Sequence, residues 1–240
     1  MRLRFGAALA LTAAAAITLS GCSSSPDSGT SGGGGADAAA LVKQSSDAMK
    51  NLTSAHFVVT ADGQIPNLKV TKLEADVASK PAVAATGTAS IQMGQDTQEA
   101  KLIYVDGKLY SDIAEPGTFI DYGPGSSIYN LSVLLDPQQG LANALAKLKD
   151  PKSAGTEDIN GTKTTKITGT ASTNDVAELA GARKAPEKEQ TVPMTVWIAD
   201  SDPHYLVQAQ IDPTPDTKLI MTLSDFGKQV TATKPALPTP

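Results

Sequence analysis

Apolar and polar residues alternate along two long parts of the chain, residues 55–112 and residues 156–227. The clearest case is PAVAATGTASIQMG, residues 81–94, in which small or apolar residues alternate with Thr, Ser and Gln. A two-residue period places successive side chains on opposite faces of a strand, so these runs predict strands with one apolar face. Asp106-Gly107 and Asn160-Gly161 are dipeptides typical of tight hairpins. The first part is therefore predicted to be an antiparallel meander, and the second adds further strands.

Helical spacing of apolar residues interrupts these strands in four places. The segments are a helix at about residues 38–52, a short turn at 130–137, a helix at 140–150 and a helix at about 172–182. One stripe of the first helix holds Leu41, Ser45, Ala48, Met49 and Leu52. Two groups of strands with helices between them predict one α+β domain, in which a long antiparallel sheet holds the helices against one face.

The N-terminus has the three parts of a secretory signal peptide. Residues 1–21 contain Arg2 and Arg4, an apolar stretch and a small-residue cleavage site. Leu19-Ser20-Gly21-Cys22 resembles a bacterial lipobox, and Cys22 is the only cysteine of the chain. We therefore expect diacylglycerol and further acylation on Cys22, which would attach the protein durably to a membrane. The alternative is a free or buried cysteine, and an exposed lone thiol would be a liability outside the cell.

Ser, Gly and other non-apolar residues follow the predicted anchor. Residues 22–37 are predicted to be a lipidated N-terminus and flexible tether, residues 38–234 the folded domain and residues 235–240 a disordered tail. No other segment is long and apolar enough to predict a transmembrane helix. The mature protein is expected on the outer face of the cell membrane, held there by its acyl chains, with the cell wall and secretion as further locations.

Composition and motifs argue against several classes of function. The net charge of −5 disfavours nucleic acid as a partner, because phosphate binding needs clustered Lys and Arg. His56 and His204 have no Cys, Asp or Glu at metal-ligand spacing, so neither a metal nor another cofactor is predicted. The chain contains no nucleophile elbow and no phosphate-binding loop. An enzyme is therefore the least favoured class.

One predicted apolar face is unusual because its residues are small or flexible. These residues are Ala85, Gly87, Ala89, Ile91 and Met93. A core at native packing density usually places larger branched residues at such positions. Two interpretations stay open from this pattern: side chains of the helices fill the space, or the space is a cavity for an apolar ligand.

Six segments carry a resemblance to a known family. They are IPNLKVTKLEADV (65–77), VDGKLYSD (105–112), DYGPGSSIYNLSVLLDPQQGLANALAKLKD (121–150), TTKITG (164–169), TVPMTVWIA (191–199) and FGKQVTATKP (226–235). With the lipobox they make the chain similar to the mycobacterial LppX/LprA/LprF/LprG family of envelope lipoproteins. The resemblance implies a strongly curved antiparallel sheet like a half barrel, similar to LolA and LolB, with helices on the concave side around an apolar cavity.

The strand alternation and helical spacing nominate residues that would line such a cavity, with ordinary core packing as the alternative for each. Besides the five residues of the small-residue face, the strands supply Phe57, Val59, Leu73, Val77, Leu102, Tyr104, Val196, Ile198, Val207 and Leu223. The helical segments supply Leu134, Leu141, Leu145 and Leu148.

The resemblance also implies a function. Family members look like carriers of acylated glycolipids or acylglycerols, such as phosphatidylinositol mannosides, lipoarabinomannan or triacylglycerol, from the plasma membrane to the outer envelope. A membrane lipid transporter would be a further partner. The alternative is a surface-displayed lipoprotein that acts through its acylated terminus as a ligand of host Toll-like receptors and holds no lipid cargo.

Overall fold

The computed structural model describes residues 33–65, 68–125, 129–181 and 188–238. The predictions of a signal peptide at residues 1–21 and of lipidation at Cys22 lie outside the described residues, as does most of the tether. Helix α1 begins at Gly33, so the last five residues assigned to the tether, 33–37, are helical. Within the part of the chain described, no helix is long and apolar enough to cross a membrane.

One open, curved antiparallel sheet forms the body of the protein. Its strands are β1 (Ser54–Asp62), β2 (Val70–Ala78), β3 (Ala84–Met93), β4 (Asp96–Val105), β5 (Lys108–Ser111), β6 (Ile120–Asp121), β7 (Lys149–Ile159), β8 (Thr162–Ser172), β9 (Thr191–Ala199), β10 (Leu206–Ile211) and β11 (Lys218–Ser224). The strand order is β6-β5-β4-β3-β2-β1-β11-β10-β9-β8-β7. Each strand of this order therefore lies beside its neighbour in sequence, except where β1 pairs with β11 and joins the two meanders.

The two predicted hairpins are confirmed. Asp106 and Gly107 have φ angles of 54° and 73° between β4 and β5, and Asn160 and Gly161 have φ angles of 51° and 84° between β7 and β8. Positive φ at both central positions gives a turn whose twist matches that of the flanking strands. Asn, Asp and Gly tolerate this conformation best, which is why the dipeptides were informative.

The first helix begins five residues earlier than the sequence predicts, and the other three helical segments are shorter than predicted. The helical segments are α1 (Gly33–Asn51), a 3₁₀ helix (Leu131–Leu135), α2 (Leu141–Ala146) and α3 (Thr173–Val176). Ser172 caps α3, because its Oγ accepts a hydrogen bond from the backbone N–H of Asn174 at 3.2 Å. The described chain continues beyond α3 as turns, and the end of the predicted helix, residue 182, lies outside the described residues.

The sequence pattern missed the first part of strand β7, because the predicted strand run begins only at residue 156. Helical spacing predicts a helix up to residue 150, but α2 ends at Ala146 and β7 begins at Lys149. Most residues of β7 are exposed on both faces, so the strand has no apolar alternation to detect. Pro151 is tolerated because β7 is the edge of the sheet, where a missing backbone donor costs little.

A single apolar core lies between one face of the sheet and the helices. It combines side chains from β1–β5 and β8–β11 with side chains from α1, α2, α3 and the 3₁₀ helix. Helix α1 packs against α2, β7, β9 and β10, and the 3₁₀ helix packs against β2. The predicted α+β architecture, with helices on one face of a long antiparallel sheet, is confirmed.

Candidate functional site

The interior between sheet and helices is the candidate site, because most of the nominated residues meet there. Strand register aligns them in rows: Phe57 lies between Leu223 and Ala75, and Leu73 lies between Val59 and Ala89. Fifteen of the nineteen nominated residues belong to the buried apolar cluster. They are Phe57, Val59, Leu73, Val77, Ala85, Ala89, Ile91, Leu102, Leu134, Leu141, Leu145, Leu148, Val196, Ile198 and Leu223.

These side chains are packed against one another. Phe57, Leu134 and Leu141 are each 0% exposed. A side chain with no exposed area leaves no room for a water molecule beside it, so it does not face an open cavity. In this structure the helix leucines therefore occupy the space over the sheet, as in an ordinary close-packed core.

Two nominated residues of β3, Gly87 and Met93, do not line the interior. Met93 ends the strand at the hairpin to β4 and is 51% exposed, so its predicted place in the interior is wrong. Gly87 does not leave open space in the interior. A Cβ at this position would collide with the carbonyl oxygen of Glu74 and with Ala75 on the neighbouring strand. The close approach of β2, rather than a cavity, explains the glycine.

The two remaining nominated residues lie beside the cluster. Tyr104 is partly buried and packs against it. Val207 is buried but does not belong to it, because the register of β10 against β9 shifts between Leu206 and Gln208. This irregularity places Leu206 and Ala209 in the cluster instead, and it breaks the simple alternation from which Val207 was chosen.

The sequence analysis missed several residues of the interior. Leu219 and Met221 on β11 and Ile211 on β10 are fully buried, and their alternation with polar neighbours could have identified them. Tyr129 gives no such signal, since it lies outside any strand or helix. Its hydroxyl donates to the carbonyl oxygen of Leu179 at 2.9 Å, and burial raises the pKa of this tyrosine.

Helix α1 covers part of the interior with a buried stripe. Ala38, Val42 and Met49 of this helix belong to the apolar cluster, and so does Leu52, the residue that follows it. Ser46 Oγ donates to the carbonyl oxygen of Ala142 at 2.8 Å and thereby connects α1 to α2. Beside this contact, a groove of about 490 Å³ runs between α1, α2 and the start of β7. The groove reaches the interior, because Val42 and Leu148, which belong to the apolar cluster, form part of its lining.

A second groove of about 550 Å³ lies at the end of the β1–β2 hairpin. Its lining includes Ala61, Ile65, Val70 and Gln92 and none of the nominated residues. This groove also borders the interior, because Ile65 and Val70 belong to the apolar cluster.

The outer face of the sheet is held by charges and hydrogen bonds. Asp76 contacts His56 Nδ1 at 2.8 Å and Lys228 Nζ at 3.0 Å. Partial burial raises the pKa of Asp76, but these two hydrogen bonds outweigh it and hold the pKa below the ordinary value. Lys234 lies 6.0 Å from the ring centre of Tyr110, so the C-terminal segment crosses the outer face from β2 to β5.

A second polar group surrounds the one tryptophan. Glu157 accepts hydrogen bonds from Lys166 Nζ and from Trp197 Nε1, both at 2.7 Å. The hydrogen bonds from Lys166 and Trp197 lower the pKa of Glu157. Among the described residues, no group of three or more His, Cys, Asp or Glu side chains could hold a metal ion.

Comparison with known proteins places this architecture in a family. The model of the LppX_LprAFG lipoprotein family matches residues 37–232. Lipoprotein LprA of Mycobacterium tuberculosis is 51% identical over 227 residues, which cover 92% of this chain and 93% of that protein. The lipoarabinomannan carrier protein LprG of Mycolicibacterium smegmatis is 42% identical, over 95% of this chain and 94% of the relative.

A solved structure agrees with the fold. LprF from Mycobacterium bovis superimposes with a TM-score of 0.74 at 27% sequence identity, covering 84% of this chain and 98% of that structure. Sequence and fold therefore lead to the same conclusion: this chain belongs to the LppX_LprAFG lipoprotein family.

Proposed function

We propose that this protein is an envelope lipoprotein that takes acylated glycolipids or acylglycerols into its interior and carries them across the cell envelope. The observation that carries the proposal is the continuous apolar interior between one sheet face and the helices. A relative with 42% identity is named a lipoarabinomannan carrier, which supports a lipid with a sugar head group as cargo.

The physical chemistry of acyl chains supports a shielding role. Two sixteen-carbon chains hold about 30 methylenes, and exposing each to water costs about 0.8 kcal/mol, or roughly 24 kcal/mol in all. Transfer from a bilayer to an apolar interior replaces one apolar medium by another, so the net cost is small. The protein needs to cover the chains and can leave the head group in water.

The packed interior implies that loading requires movement. An empty apolar cavity large enough for two acyl chains would forfeit the packing contacts of its lining. In this structure, Leu134, Leu141 and Leu145 are instead fully buried in the apolar cluster. We infer that these helical residues move away from the sheet when lipid enters, and that acyl chains then replace their contacts.

The groove between α1 and α2 is the proposed entrance. It combines an apolar floor, which includes Val42 and Leu148, with charged residues at the rim, which are Lys43, Asp47 and Lys50. An acyl lipid has the same two parts, so its chains would enter over the floor while its head group stays near the rim. This assignment also places the entrance on the helix whose N-terminal end leads to the tether.

We propose that acyl chains on Cys22 hold the protein at the outer face of the plasma membrane. A single acyl chain binds a membrane only marginally, and two or more give durable attachment. Anchoring would keep the interior close to the bilayer from which lipid is taken. A membrane lipid transporter that delivers the lipid is a further proposed partner.

The experiment is lipid mass spectrometry of the chain purified from a mycobacterial host with Cys22→Ala, which removes the acyl anchor. We expect a stoichiometric glycolipid or acylglycerol in the extract. A matched family member, LprG, is purified in parallel as the control. An empty protein beside a loaded LprG would contradict the carrier proposal.

The packed interior also favours a second function. If the core stays closed, the protein would act as a surface-displayed lipoprotein whose acylated terminus is a ligand of Toll-like receptors. The Cys22→Ala chain distinguishes the two proposals: the carrier proposal expects lipid in its interior, whereas the display proposal expects an empty interior and a loss of receptor activation.

A further inference from the structure

Among the described residues, one buried side-chain hydroxyl of the interior has no hydrogen-bond partner. Ser45 is 0% exposed, and its Oγ has no hydrogen-bond partner among the described residues. Other buried hydroxyls are satisfied: Ser46 Oγ donates to Ala142, and Thr164 Oγ1 donates to the carbonyl oxygen of Glu157 at 2.7 Å. Ser45 does not use the carbonyl of residue 41 either, one turn earlier, which is the usual partner of a serine within a helix.

The position of Ser45 on α1 directs it toward the apolar interior. Val42 and Met49 lie three residues before and four residues after it, and both belong to the apolar cluster. Positions with this spacing share one face of a helix. The same helix packs against α2, β9 and β10, and each of these elements contributes residues to the apolar cluster.

An unpaired hydroxyl in such surroundings destabilises the fold. Burying a polar group without a hydrogen bond is unfavourable, and alanine at this position would avoid the penalty. Buried polar groups in proteins nearly always have partners. A partner that arrives with a ligand would satisfy this hydroxyl in the loaded state.

We propose that Ser45 Oγ–H donates a hydrogen bond to an ester carbonyl of the bound lipid. This proposal rests on the proposed function. An ester carbonyl is an acceptor without a proton of its own, so it needs a donor such as a hydroxyl. It is also the polar group that directly adjoins an acyl chain, and it carries no charge whose desolvation would prevent its entry.

The neighbouring groove makes this placement consistent with the rest of the lipid. Ser46, the next residue of α1, lines the groove between α1 and α2. A lipid whose ester lies at Ser45 would extend its acyl chains into the apolar cluster. Its head group would then lie in the groove, close to the exposed Lys43 and Lys50.

The test compares ester and ether lipids. A diacylglycerol with one pyrene-labelled chain and the dialkylglycerol of equal chain length are titrated into the Cys22→Ala chain and into the same chain with Ser45→Ala. We expect Ser45→Ala to lower the affinity for the diacylglycerol roughly five- to tenfold, the contribution of one buried hydrogen bond. The affinity for the dialkylglycerol, which has no carbonyl, should not change.

The matched control is Ser46→Ala, since this hydroxyl already has a protein partner. It should alter binding of the two lipids equally. Thermal unfolding gives a second readout: Ser45→Ala should raise the unfolding midpoint of the unloaded chain, whereas Ser46→Ala should lower it.

Three outcomes would overturn the proposal. If Ser45→Ala lowers the affinity for both lipids equally, or for neither, the hydroxyl does not recognise the ester. The proposed function still stands in that case. If Ser45→Ala lowers the unfolding midpoint of the unloaded chain, the hydroxyl already has a partner there. If the Cys22→Ala chain binds neither lipid, the proposed function fails, and this proposal fails with it.

Discussion

On the inner face of β1 and β2, Phe57 and Leu73 are fully buried among apolar side chains, whereas on the outer face of the same strands His56, Glu74 and Asp76 form a charged group. The inner contacts are non-directional, so an acyl chain could replace a leucine without leaving an unpaired group. The outer contacts depend on specific atoms at 2.8–3.0 Å and cannot be exchanged in this way.

This difference assigns separate tasks to the two faces. The outer face, together with the backbone hydrogen bonds between strands, holds the strands in register. On the inner face, contacts with acyl chains can meanwhile replace contacts with helix side chains. We make four predictions about these faces. Changes on the inner face should have large effects on stability or lipid content, and changes on the outer face should have small ones.

Shortening an inner helix residue should have the largest effect on stability. Leu141 is 0% exposed, and Leu141→Ala should reduce the free energy of unfolding of the unloaded protein by about 2–5 kcal/mol. Urea unfolding measures this loss. Added lipid should restore part of the stability, because an acyl chain can fill the space. A variant that loses stability but gains nothing from lipid would argue that Leu141 does not face the cargo.

Filling the inner face should prevent loading. Ala89 is 2% exposed, and Ala89→Trp should cost about 1–3 kcal/mol through overpacking and abolish lipid occupancy. The control is Thr88→Trp, because Thr88 is the next residue of β3 and is exposed on the opposite face. Mass spectrometry measures the lipid content of both variants. A folded Ala89→Trp variant with normal lipid content would refute the assignment of this face.

Removing the outer carboxylate should have a smaller, pH-dependent effect. Asp76→Asn should cost about 1 kcal/mol near neutral pH, because two charge-assisted hydrogen bonds are lost. Since the folded state lowers the pKa of Asp76, its contribution is complete above the ordinary value of 3.8 and is lost as the pH falls through the lowered pKa. Lipid occupancy should not change, and a clear loss of lipid would contradict the separation of the two faces.

The smallest effect is expected at Trp197, the only tryptophan of the chain. Its indole donates to Glu157 on the outer face, so tryptophan fluorescence reports on that face alone. Loading with lipid should leave the emission maximum unchanged. Glu157→Gln serves as the control, because it weakens the hydrogen bond and should shift the emission.

Much of this fold follows from local patterns in the sequence. Alternation identified the strands that bury one face, and the hairpin dipeptides fixed two of the turns. The first part of strand β7, residues 149–155, was missed because its residues are mostly exposed on both faces, and burial is the origin of the alternation signal. The two-residue strand β6 is too short to give a pattern.

Most, but not all, residues of the interior could also be predicted from local sequence patterns. Alternation selected residues such as Phe57 and Leu73, but it failed where the geometry departs from a regular strand. Val207 follows a register shift, and Met93 lies at a hairpin end. Ser45 was placed on the buried stripe of α1, but no sequence pattern shows that its hydroxyl lacks a partner. That property depends on what surrounds the side chain in three dimensions.

The central claim is that the packed interior opens to admit acyl chains, and a distance measurement tests it most directly. The Cys22→Ala chain has no cysteine, so spin labels can be attached at Ala146→Cys on α2 and Thr88→Cys on the outer face of β3, both exposed positions. Pulsed electron resonance then measures the distance between helix and sheet with and without diacylglycerol. We predict a longer distance whose population follows the loaded fraction. An unchanged distance in a protein that has bound lipid would contradict the account.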